Sequence, residues 1–112
     1  MSNPIIDYTI EEHTSDMFKV KVFIREDLIY FNGHFKNFKL LPAIAQVKIV
    51  TDIFKNIFNR DLIVTKLLKL KFTDMILPNT NVFIESHLLN NIISFKIYDD
   101  NKKYSDGKVY FS

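Results

Sequence analysis

Pro42-Ala43-Ile44-Ala45-Gln46-Val47-Lys48-Ile49-Val50-Thr51-Asp52-Ile53-Phe54-Lys55-Asn56-Ile57-Phe58 changes the period of the chain. Ile44, Val47, Val50, Phe54 and Ile57 recur at the spacing of a helix. Pro42 suits the first turn, where its missing N–H costs nothing. The apolar residues fall on more than one face, so this helix is expected to be buried nearly all round. One short sheet cannot wrap it fully, and a second copy of the chain would supply the remaining cover.

Outward from this helix the period becomes two. In residues 17–24, Lys19 and Lys21 alternate with Phe18, Val20 and Val22, a strand with one wet face. Ile5 to Glu12 predicts a shorter strand before it. After Asn59-Arg60 come strand-like runs at 66–72, 82–89, 92–98 and 104–111. Asn90-Asn91 suits a tight turn, since asparagine tolerates positive φ. The expected order is two strands, one long helix, then an antiparallel meander of four strands. That is an α+β pattern, one sheet on one helix.

With 112 residues, 47% of them hydrophobic, residues 1–112 are expected to form a single domain. No repeat, linker or composition break divides them. The net charge is +2 and the lysines are scattered, which points away from nucleic acid. The chain has no cysteine, so disulfides, thiolate nucleophiles and cysteine-ligated zinc are excluded. Met1 to Asp7 lacks the pattern of a secretory signal, and no stretch is long enough to span a bilayer. A cytoplasmic protein is expected. His13 and His87 have no ligand spacing with His34, and no phosphate loop is present, so neither a metal nor a nucleotide cofactor is expected.

The stretch before the helix, Tyr30-Phe31-Asn32-Gly33-His34-Phe35-Lys36-Asn37-Phe38-Lys39-Leu40-Leu41, places a histidine among aromatics just ahead of a helix N-terminus. Histidine titrates near neutrality and moves protons. A helix N-terminus offers free N–H groups and the positive end of a dipole. Together they can polarise a carbonyl oxygen and take a proton from the adjacent carbon. The other reading open at this point is a loop histidine that caps or packs.

The segment resembles the signature of the 3-hydroxyacyl-acyl-carrier-protein dehydratases, Gly-His-Phe-Pro followed by Pro and then Pro-Gly. Gly33, His34, Phe35 and Pro42 match in identity and spacing. Leu40 to Gln46 is most similar to the dehydratase-like proteins of aryl-polyene pathways. Lys71-Phe72 with Leu77-Pro78-Asn79-Thr80, and the closing run Ser105 to Phe111, extend the likeness over about residues 20–112. The resemblance implies a hotdog fold, one long helix wrapped by an antiparallel sheet. It also implies a homodimer acting on acyl chains carried by acyl carrier protein or coenzyme A. In that scheme His34 takes the proton α to the thioester carbonyl. The N–H of Ala43 binds the thioester oxygen, and a carboxylate from the partner helix protonates the departing 3-hydroxyl. Gly33, Phe35, Pro42, Ala43 and Lys48 would border the substrate, and the acyl chain would run between the two central helices.

Several positions depart from the family pattern. The family's acid lies fourteen residues beyond the histidine, and here that residue is Lys48. A lysine does not replace a carboxylate without changing the chemistry. Asp52, one helical turn on and on the same face, is then the candidate acid, with a Lys48–Asp52 ion pair as the alternative. Ala43 stands where the family has glycine, which keeps the N–H but adds a methyl group. Lys36 and Lys39 replace two prolines. With Lys48 or Lys55 they would form a basic rim for an acidic carrier protein, or else remain solvated surface lysines. Besides a dehydratase, the sequence admits a non-catalytic hotdog subunit that binds acyl chains or carrier protein, and an acyl thioesterase using Asp52.

Overall fold

The computed structural model describes residues 6–27 and 41–112. The elements are β1 (Asp7–His13), β2 (Met17–Ile24), α1 (Ala43–Phe58), β3 (Val64–Phe72), β4 (Thr80–Leu89), β5 (Ile92–Tyr98) and β6 (Lys103–Phe111). The six strands form one sheet in the order β1-β2-β4-β5-β6-β3, and every neighbouring pair is antiparallel. This is the α+β hotdog arrangement, a long helix with an antiparallel sheet around it. Among the described residues no helix is long and apolar enough to cross a membrane.

The strands follow from alternation. In β2, Phe18, Val20, Val22 and Ile24 are fully buried, while Lys21 and Phe23 between them are exposed. Their register carries the buried face across the sheet: Val20 lies beside Ile84, Ile84 beside Ile97, and Ile97 beside Ser105. On α1, Ala45, Ile49, Val50, Ile53 and Phe54 complete the core. Phe54 packs against Phe58 and Phe111, and Phe58 against Phe18. At roughly 1.5–3 kcal/mol for each large apolar side chain removed from water, this layer is the main source of stability.

The opposite face of the sheet carries a row of charges. Glu12, Lys19, Glu85, Lys96, Asp106 and Lys71 are successive cross-strand neighbours, one from each strand, and their signs alternate throughout. Opposite charges in such pairs contribute roughly 0.2–1 kcal/mol each and help to fix the register.

Two expectations are corrected. The last four strands do not form one meander: β4, β5 and β6 do, but β3 lies beyond β6 at the sheet's edge, and β4 pairs with β2. The reason is burial. β4 and β2 each have a fully buried inner row that a central position covers, whereas β3 is largely exposed along its length, as suits an edge. Reciprocal bonds between Ile63 and Ser112, 3.1 and 2.9 Å, anchor the start of β3 to the end of β6. Nor is α1 covered all round. One sheet shields one side, leaving Ile44, Lys48 and Asn56 exposed. The helix begins at Ala43, one residue after Pro42, and ends at Asn59 in the left-handed region with φ 48°.

Candidate active site at the start of the helix

The site is built where the chain enters α1. The Leu41 N–H donates to the Ile76 carbonyl at 2.8 Å, tying the entry to the segment between β3 and β4. Pro42 is extended, φ −61° and ψ 151°, and among the described residues no side chain caps the helix. Its carbonyl accepts the Gln46 N–H at 3.1 Å, the first rung of the helix. The N–H groups before that rung have no intrahelical acceptor. Ala43 is exposed, so this end of the helix dipole is open to a ligand. Such a terminus can hold an oxygen that gains negative charge.

Gln46 supports the entry from inside. It is buried, and its Nε2 donates to the Leu41 carbonyl at 3.3 Å. Its Oε1 has no hydrogen-bond partner among the described residues. Sequence reasoning placed Gln46 in a motif but gave it no role. A polar side chain on the apolar side of a helical repeat was the available signal.

Further along the helix, Lys48 Nζ lies 2.7 Å from Asp52 Oδ1. Lys48 is exposed and Asp52 half-buried. The structure therefore gathers Pro42, Ala43, Lys48 and Asp52 on the first turns and open flank of α1. Gly33, His34 and Phe35, with Lys36 and Lys39, lie outside the described residues. His87 is exposed on β4, its Nε2 3.1 Å from Glu85.

The model of the ApeI dehydratase family matches residues 10–108. The chain belongs to the ApeI-like dehydratase family. Its fold is similar to that of the dehydratase heterocomplex ApeI:P from Xenorhabdus doucetiae, with a TM-score of 0.84 at 20% identity, covering 98% of both chains. An uncharacterised protein from Erwinia carotovora subsp. atroseptica is similar at a TM-score of 0.72 and 21% identity, covering 99% of this chain and 97% of that one. A third, uncharacterised, from Pyrococcus horikoshii, has a TM-score of 0.68 at 12% identity, with 93% and 80% covered. No curated protein matches the chain.

Proposed function

We propose that this protein is a (3R)-hydroxyacyl-thioester dehydratase, acting as a homodimer on acyl chains held by acyl carrier protein in fatty-acid or aryl-polyene-like synthesis. The reading is carried by the start of α1, uncapped among the described residues and nine residues after His34, in a chain of a dehydratase family. His34 removes the proton from C2, and its electron pair becomes the C2–C3 double bond as the C3–O bond breaks. The leaving hydroxyl takes a proton from Asp52, presented by the helix of the second copy, and departs as water. The N–H of Ala43 holds the thioester oxygen as charge builds on it. Pro42, Gly33 and Phe35 shape the entrance, and Lys48 borders it. A chain without cysteine suits a reducing cytoplasm.

Dimerisation is supported by where apolar surface remains. Among the described residues, six of the nine exposed large hydrophobics, Ile44, Ile63, Val64, Phe72, Met75 and Leu77, lie at the start of α1, along the β3 edge and in the segment after it. Apolar side chains left exposed along a sheet edge suit an interaction surface.

A second reading is favoured by the Lys48–Asp52 contact. A carboxylate already bonded to an ammonium leaves the site short of a free acid, as in a non-catalytic subunit that binds acyl chains or carrier protein. Hydration of crotonyl and longer enoyl thioesters separates the two. With a dehydratase, His34→Ala lowers the rate by about 100-fold or more. No hydration at any chain length, with carrier-protein binding retained, supports the subunit. Thioester hydrolysis that depends on Asp52 makes the protein a thioesterase.

A further inference from the structure

The charges are unevenly placed along the sheet. β3 and β6 together hold Lys66, Lys69, Lys71, Lys103 and Lys108 against one acid, Asp106, a surplus of four. The whole chain carries +2, so everything else carries −2. Between these strands and β5 lies an open groove of about 400 Å³, bordered by Lys69, Lys71, Lys108, Ser94, Asp106 and Gly107. Asp106 is engaged by Lys103. Among the described residues Lys69, Lys71 and Lys108 make no ion pair.

A backbone irregularity shapes this groove. From Leu68 to Lys71, three steps on β3 face only two on β6, from Lys108 to Asp106. The extra residue makes a β-bulge, and Lys69 within it has φ 54°. The left-handed region disfavours side chains other than glycine or asparagine. Glycine would serve the bulge better by backbone criteria alone. Lys69 thus stands with Lys71, Lys108 and Ser94 on one groove, three cations with no carboxylate in ion-pair contact among the described residues.

We propose that this groove binds a small phosphate-bearing anion, of diphosphate or nucleotide size, on the outer face of the sheet. Lysine ammoniums act as mobile point charges toward phosphate oxygens, and Ser94 offers a hydroxyl donor. Leu70 and Phe95 line the rest of the groove, which is open to solvent, so the lysines supply its charge and the apolar residues much of its surface. The assignment is independent of the dehydratase reading and lies apart from Lys48 and Lys55 on α1.

The test is titration of the full chain with sodium pyrophosphate and with adenosine 3′,5′-bisphosphate at constant ionic strength, following the amide resonances of Lys69, Ser94 and Gly107. Both are expected to shift these signals, and affinity should fall as salt is raised. Lys69→Gln/Lys71→Gln/Lys108→Gln should weaken binding at least tenfold, while Lys19→Gln/Lys21→Gln, on β2, leaves it unchanged. If the triple variant unfolds, Lys108→Glu alone should weaken binding at least threefold. Absent shifts, or equal affinity in all variants, overturn the proposal. So do shifts produced by an acidic carrier protein and by neither phosphate compound, which make the face a protein-docking surface instead.

Discussion

The side chain of Leu70 lies over Gly107, so that a Cβ added to residue 107 would meet Leu70 Cδ2 at 2.3 Å and Leu70 Cα at 3.2 Å. The leucine tip can swing away, but the backbone contact stays tight. Gly107→Ala is therefore expected to destabilise the fold by about 1–3 kcal/mol. In Gly107→Ala/Leu70→Ala the two effects should add to less than their sum, because the second change removes the first atom struck. Urea denaturation of the four proteins measures this coupling. Strict additivity would mean that the two residues do not touch.

Lys48 and Asp52 define a second experiment. An exposed i,i+4 pair contributes only about 0.3–0.5 kcal/mol, so Lys48→Glu should cost little stability. The introduced carboxylate stands fourteen residues from His34, where the sequence resemblance implies an acid, and one turn from Asp52. Two adjacent carboxylates share a proton more readily near neutral pH, which favours an acid catalyst. Hydration of an enoyl thioester should rise tenfold or more. An unchanged or lower rate, in a protein of wild-type stability, counts against this part of α1 facing the reacting carbon.

Tyr104 supplies a pH dependence. Burial, then its hydrogen bond to Asp99, pushes the phenol up to about 12 from an ordinary value of 10.0. A group whose value is raised by folding stabilises fully below its unfolded value and loses that contribution as pH climbs through the folded one. Stability is thus expected to fall between about pH 10 and 12, and Tyr104→Phe should flatten this fall while costing about 1.5–3 kcal/mol at neutral pH. Thermal denaturation across that alkaline range tests both statements.

Glu85 sits in the middle of the charge row. Burial pulls its carboxyl upward, but hydrogen bonds from His87 and Tyr98, with Lys96 nearby, outweigh it and hold it below 4.5. A depressed carboxylate stabilises above its unfolded value and loses that contribution as pH falls through the folded one. Glu85→Lys would place three like charges side by side on β2, β4 and β5. A loss of about 1–2 kcal/mol is expected. The deficit should shrink as pH falls through the range where the wild-type carboxylate takes up its proton. A deficit that stays constant down to pH 3 would locate the damage in packing.

Much of this architecture was legible from residue order alone. The alternation of Phe18, Val20 and Val22, the helical repeat from Ile44 to Ile57 and the turn at Asn90, φ 56°, are local signals, and each appears where its spacing placed it. The position of β3 was not legible, because it depends on which strands compete for the covered centre of the sheet. The charge row was hidden for a similar reason: Glu12, Lys19, Glu85, Lys96, Asp106 and Lys71 are scattered in sequence and meet only through register. Within the site, the Lys48–Asp52 contact was readable from i,i+4 spacing. The support that Gln46 gives Leu41 was not, since it depends on the exact path of the chain into α1.

That row has a direction. It starts on an anion at the β1 rim and finishes on a cation at the β3 rim. Molecules laid side by side with like orientation would continue the alternation from one to the next, so charge alone does not forbid an endless ribbon. Shape opposes it, because both rims carry kinks, at Ile10/Glu12 on one and at Val64/Lys66 and Leu68/Lys71 on the other. These irregularities make straight docking of successive sheets difficult and leave closed assemblies as the easier outcome.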